Sequence, residues 1–214
     1  MPTLYYIMDP MCSWCWGFRP IMEALERQLP GDVHLRYVMG GLAPDSDEPM
    51  PEQTREYIRQ AWRTVAARTG AHFNFAFWEQ CEPRRSTWPA CRAVIAAATQ
   101  DPAKRRPMVH AIQEAYYLEA RNPADRQTLV DIAGKLGLDA ERFAADLDSA
   151  AVNEALHADL LIARRFGIQG FPSLVLEDGE RAFLVSQGYM ELNAVIGRLR
   201  NALAAAGTAE NTGR

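Results

Sequence analysis

The chain has 214 residues, 48% hydrophobic and 23% charged, with a net charge of −4. That is enough apolar material for a globular core, and the mild acidity gives no electrostatic reason to expect nucleic acid or an anionic membrane as partner. No stretch approaches the roughly 18 apolar residues of a membrane span, and Cys12 lies too near the first methionine for a signal peptide of about 15–30 residues to precede it, so the expected location is the cytoplasm.

Leu4 to Met8 (LYYIM) is a short apolar, β-prone run, closed by Asp9-Pro10. A helical pattern follows from about Cys12 to Leu29, with Ile21, Leu25 and Leu29 at four-residue spacing and Pro20 placed to kink it. Pro30-Gly31-Asp32 is a turn signal, and Val33 to Met39 alternates as a second strand, completing a right-handed β-α-β unit. Gly40-Gly41 resembles a phosphate-binding loop only faintly; a loop leaving a strand is sufficient explanation. From Pro51 to Phe166 the pattern is almost wholly helical, with no repeat period. "TWPACRAVIAAA" opens one helix with Thr87 as N-cap and puts Cys91 on the apolar face of Val94 and Ile95. Further helices are predicted over 104–121, 125–136, 140–147 and 150–166, capped by Asp125, Asp139 and Ser149 and stopped by Gly137 and Gly167. Strand character returns after "GIQGFPS": Leu174 to Leu176 and Ala182 to Ser186 form a hairpin through Glu-Asp-Gly-Glu, before an amphipathic helix from about Met190 to Ala205.

The order β-α-β, helical block, β-β-α implies that the two ends share one sheet, because neither alone can bury both faces. The expected fold class is therefore α/β, with residues 1–45 and 168–206 as one discontinuous domain, an all-helical domain inserted at 46–167, and a disordered tail at 207–214.

The cysteines carry the chemistry. In a reducing compartment Cys12, Cys15, Cys81 and Cys91 are poor candidates for structural disulfides. Cys12 falls where a strand gives way to a helix, and the unpaired N–H groups and dipole of a helix N-terminus favour the thiolate, the reactive species. Cys15, one turn later, is placed to attack a mixed disulfide at Cys12 and release the partner. Cys12 is then the exposed nucleophile and Cys15 the buried resolving thiol. Zinc is the chemical rival, but a structural site needs four ligands. Cys81 and Cys91 are ten positions apart and the four histidines are isolated from one another, so no metal is expected. Inert buried thiols are the remaining alternative.

"MCSWCWGF" after a first strand, the helix proline, the helical block and the late "GIQGFPS" together resemble the DsbA-like thiol–disulfide oxidoreductases of the thioredoxin superfamily. The likeness is to their cytoplasmic branch, the protein-disulfide isomerases related to the FrnE proteins, and covers about residues 3 to 205. The resemblance implies a thioredoxin-like fold and a cis-proline facing the cysteines. Pro172 matches it, leaving the Phe171 backbone free to pair with a bound polypeptide, and Pro172 has no N–H to compete for the sulfur. DsbA carries Pro-His between its cysteines and thioredoxin Gly-Pro; here Ser13-Trp14 stand there, without the histidine of the strong oxidant.

Ser13, Trp14 and Phe171 are thus candidate substrate-binding residues, with Trp14 exposed and Trp16 packed. Asp9 is read as a helix cap in preference to a proton acceptor for Cys15. Cys91 is read as a small core residue, with an accessory role beside the dithiol or with Cys81 as the alternative. FrnE proteins have a second cysteine pair, but its spacing differs from that of Cys81 and Cys91. The function expected is dithiol–disulfide exchange with disulfide-containing or unfolded proteins, as reductase or isomerase, with no metal or organic cofactor and with glutathione as a further co-substrate. Two rivals stand beside it. One is a glutathione-dependent transferase or isomerase of the kappa class, which typically has serine near the position of Cys12. The other is a non-enzymatic holdase for unfolded chains.

Overall fold

A computed structural model describes residues 1–207. Strand β1 (Thr3–Met8) leads into helix α1 (Ser13–Glu26) and strand β2 (His34–Met39), and β1 and β2 pair in parallel from Thr3↔His34 to Met8↔Met39. The helical block follows: α2 (Glu52–Thr69), a short α3 (Phe77–Gln80), α4 (Trp88–Gln100), a 3-10 turn (Pro102–Lys104), α5 (Arg105–Tyr117), α6 (Arg126–Lys135), α7 (Ala140–Leu147) and α8 (Ala150–Arg165). The chain then returns to the sheet as β3 (Ser173–Asp178) and β4 (Arg181–Gln187) and ends in α9 (Leu192–Gly207). The strand order is β2-β1-β3-β4, with β3 antiparallel to both neighbours. Both ends of the chain do share one sheet, and the α/β, thioredoxin-like architecture with helices between its halves is what the structure shows.

The central strand β1 is buried on both faces. Leu4, Tyr6 and Met8 join α1 and the helical block in the main core, while Tyr5 and Ile7 pack with Val38, Val175 and Ala163 of α8. That two-sided burial explains why LYYIM reads as a continuous apolar run and not as an alternation. In the helical block, Trp62 of α2 is fully buried and edge-on to both Tyr116 and Tyr117 of α5. Met108, Ile112, Ala115 and Tyr116 are buried together in the core.

Several element ends differ from the sequence reading. Helix α1 stops at Glu26, three residues before Leu29, and the last turn is a pair of short-range bonds, Gln28 N–H to Leu25 O and Leu29 N–H to Glu26 O. Asp139 and Ser149 do cap their helices, accepting from the N–H groups of Arg142 and Val152. Asp125 holds an N-cap position without a side-chain cap, because its carboxylate is paired with Arg84. Of the tail expected to be disordered, Gly207 is the last residue of α9 and 208–214 lie outside the described residues.

Candidate active site

The first turn after β1 carries the cysteine pair. The Cys12 N–H bonds to Asp9 O at 3.0 Å, and Cys12 is the N-cap of α1, with no side chain capping the helix. Cys12 and Cys15 are free thiols that approach to 3.4 Å. Cys15 is fully buried, and burial pushes its thiol well above the ordinary range; the hydrogen bond and charge of Cys12 add to this, and the Asp9 backbone N–H opposes it. Cys12 is only 7% exposed. It is the more accessible of the two, yet far less open than the sequence reading had it.

What closes over Cys12 comes from the entry to β3. The Phe171–Pro172 peptide bond is cis. The Cys12 thiol donates to Phe171 O at 3.7 Å, and Pro172 O accepts from Gly188 N–H at 2.7 Å, tying this loop to the end of β4. The Phe171 ring lies where a side chain at position 40 would be: a Cβ on Gly40 would stand 2.3 Å from its ring atoms. Gly40 is itself fixed by its N–H to Met8 O at 2.7 Å. Gly40 thus makes room for the ring of the residue whose carbonyl meets Cys12, while a Cβ on Gly41 would run into Leu160 and Trp88. Sequence reasoning missed this, and the Gly-Gly that it dismissed as a loop was the signal.

Asp9 is not a helix cap. It is fully buried, with Oδ1 accepting from Met11 N–H at 2.8 Å and Oδ2 from Leu42 N–H at 2.7 Å, from the Thr87 hydroxyl at 2.6 Å and from the Cys91 thiol at 3.6 Å. The side chain turns inward because the loop after β2 and the start of α4 meet there and supply donors. Burial raises its pKa, and the hydrogen bonds from Thr87, Leu42, Met11 and Cys91 oppose the rise. The same contact corrects Thr87, which sits at the N-cap position of α4 but gives its hydroxyl to Asp9 and not to its own helix. Cys91 is fully buried, and its thiol is driven up first by burial and then by the charge of Asp9. Cys81 is engaged elsewhere, donating to Ala120 O at 3.1 Å.

Beside the dithiol, Trp14, Thr64, Arg68, Phe171 and Tyr189 line a shallow cavity of about 350 Å³. Trp14 is half-buried against Tyr189, not fully exposed, and the Arg68 guanidinium lies over the same Tyr189 ring. Ser13 is half-buried at the start of α1. Trp16 packs as expected, stacked on Tyr117 with its indole N–H on His72 O. Among the described residues no group of three or more histidine, cysteine, aspartate or glutamate side chains is placed to hold a metal ion, and no helix is long and apolar enough to cross a membrane.

A vicinal dithiol at a helix start, packed against a cis-prolyl loop on a β2-β1-β3-β4 sheet, defines a thioredoxin-type site. A family model described as thioredoxin matches residues 5–193, and the chain belongs to that family, within its DsbA-like members. Three similar proteins illustrate the range. A Nitrosomonas europaea structure described as a candidate protein disulfide isomerase is 32% identical, with a TM-score of 0.86 over 95% of this chain and 98% of that one. The cytosolic disulfide reductase DsbM of Pseudomonas aeruginosa, also solved with glutathione, is 25% identical with a TM-score of 0.75 over 95% of this chain and 100% of that one. The ClpXP adapter protein SpxH of Bacillus subtilis is 27% identical over 172 residues, which are 80% of this chain and 56% of SpxH. The chain thus spans little more than half the length of that curated relative.

Proposed function

We propose that the chain catalyses thiol–disulfide exchange through Cys12 and Cys15, acting as a reductase or isomerase of protein disulfides. The observation that carries this reading is the 3.4 Å approach of the two free thiols beneath the Phe171–Pro172 loop. The Cys12 thiolate attacks one sulfur of a substrate disulfide; the Cys12–substrate S–S bond forms and the first substrate thiolate leaves. Cys15 loses its proton and attacks Cys12 Sγ, forming Cys12–Cys15 and expelling the second substrate thiolate, so two electrons pass from the dithiol to the substrate. Asp9, whose carboxylate holds its proton more tightly than usual, is the group near Cys15 suited to accept and return that proton. In isomerisation a different substrate thiolate attacks the substrate sulfur of the mixed disulfide, a new substrate S–S bond forms, Cys12 leaves as thiolate, and no net oxidation occurs.

In this reading the cycle needs neither metal nor organic cofactor. Glutathione regenerates the dithiol, two molecules being oxidised to one disulfide, a choice of thiol that the DsbM structure with glutathione supports; the Trp14–Arg68–Tyr189 cavity beside the dithiol is its place of approach. A chain held reduced by glutathione belongs in a reducing compartment such as the cytosol, where the DsbM relative is described. The test is reduction of insulin disulfides by glutathione with catalytic amounts of the full chain. Cys12→Ser should abolish catalysis, and Cys15→Ser should accumulate a Cys12–substrate disulfide visible by mass. Activity that survives Cys12→Ser would refute the reading. The adapter name of SpxH keeps a binding role in view, and that role alone would survive replacement of both cysteines by alanine.

A further inference from the structure

Strand β2 is an edge of the sheet, and its outer side carries a site that the dithiol does not use. The His34 N–H bonds to Pro2 O at 2.9 Å and the Gly40 N–H to Met8 O at 2.7 Å. In the parallel register of β1 and β2 the backbone groups of His34, Arg36 and Val38 therefore point to β1, and those of Leu35, Tyr37 and Met39 point outward. The Met39 N–H confirms the direction, since it is taken by Asp159 Oδ2 of α8 at 2.9 Å. The outward N–H groups of Leu35 and Tyr37 have no partner among the described residues. They border a cavity of about 690 Å³ between β2, the 3-10 turn and α8.

This cavity is basic. Arg36 lies on the α8 face of the sheet, its guanidinium over the Tyr5 ring and 3.6 Å from Asp159 Oδ1. Arg106 lies on the α1 face, paired with Glu26, the same carboxylate that accepts from the Tyr37 hydroxyl. Arg105 stands at the start of α5 and lines the cavity with them. Its guanidinium makes no hydrogen bond or ion pair with any described residue; burial presses its pKa down, Asp159 opposing and Arg36 adding to the effect. A half-buried, unpaired guanidinium costs free energy until an anion compensates it.

We propose that this edge is a docking groove for an extended acidic segment of a partner polypeptide, which adds as a strand beside Leu35 and Tyr37 and sets its carboxylates against Arg36, Arg105 and Arg106. Successive side chains of a strand point to opposite faces, so two adjacent acidic residues meet Arg36 on one face and Arg106 on the other. Leu35 and Tyr37 each offer one N–H and one C=O at the spacing that a strand pairs with. A lone phosphate would use the arginines but leave those backbone groups unpaired. The groove begins at the far end of the strands from Cys12, and the proposal stands whether or not the dithiol turns over.

The probe is a blocked, fluorescein-labelled hexapeptide, Val-Val-Glu-Glu-Val-Val, titrated into the full chain by anisotropy, with amide hydrogen exchange read in parallel. Saturable binding is expected, with new protection at Leu35 and Tyr37. Replacing both glutamates by glutamine, or Arg105→Ala, should weaken it about tenfold or more. Leu35→Pro removes an outward N–H, which an edge strand tolerates, together with a partly buried side chain, and should abolish peptide binding while the Cys12–Cys15 disulfide still forms. The glutamine peptide needs no altered protein, so a variant that fails to fold does not decide the matter. The proposal is overturned if the glutamine peptide binds equally well, if Leu35 and Tyr37 gain no protection, or if inorganic phosphate binds in an Arg105-dependent way and the peptide does not.

Discussion

Gly40→Ala is the sharpest test of how the dithiol is roofed. A Cβ at position 40 would stand 2.3 Å from the Phe171 ring, against at least 3.4 Å for an ordinary contact, so the ring must retreat by about 1 Å. Gly40 does not have a positive φ, so alanine suits its backbone and the whole effect is steric. Overpacking of this kind costs about 1–3 kcal/mol. The Phe171 carbonyl that accepts from Cys12 moves with the ring, and a 1 Å misplacement at a reacting centre can cost about 10²-fold in rate. The expected outcome in glutathione-driven insulin reduction is a fall in kcat/KM of about 10- to 100-fold with the fold retained by circular dichroism. Gly40→Ala combined with Phe171→Leu should regain the lost stability. If Gly40→Ala reduces insulin within twofold of the parent, the ring does not hold the site and the reasoning fails.

Asp9→Asn tests the buried carboxylate through pH. Burial raises the Asp9 pKa from 3.8, so the folded state keeps its proton where the unfolded chain has lost it. That stability is complete below the unfolded value and is lost as pH rises through the folded value, each tenfold difference in proton affinity between the two states being worth about 1.4 kcal/mol. Denaturant unfolding from pH 4 to pH 8 should therefore show the parent losing stability relative to Asp9→Asn; a pH-independent difference would contradict it. The same variant should slow release of the mixed disulfide more than its formation, which rapid quenching separates. Trp14→Ala opens the cavity it lines with Arg68 and Tyr189, and should raise KM for glutathione several-fold while leaving alkylation of Cys12 unchanged. Equal KM values would remove the cavity from the account.

The fold was legible where the periodicity of the chain changes. LYYIM stops at Asp9-Pro10 and a helical spacing begins within four residues, which located the cysteine pair; GFPS and the Glu-Asp-Gly-Glu turn located the returning hairpin. Local caps such as Asp139 and Ser149 were legible because the backbone N–H groups they accept from lie three residues away. The failures share a cause. Asp9 meets Thr87 across 78 positions, and Gly40 meets Phe171 across the whole helical block. In each case a residue read as local punctuation is fixed by a partner from another segment, which spacing does not encode. Cys12 was read as exposed for the same reason, because what closes over it is the distant Phe171 carbonyl.

The central claim is that Cys12 and Cys15 form a redox couple. Equilibration of the full chain in glutathione buffers of graded poise, followed by acid quenching, alkylation and peptide mass analysis, tests it directly. The account predicts an intramolecular Cys12–Cys15 disulfide with a midpoint between about −270 and −180 mV, in the range of reductases and isomerases. Failure of that disulfide to form at any poise would contradict the account, and a midpoint near about −120 mV would make the chain an oxidant instead.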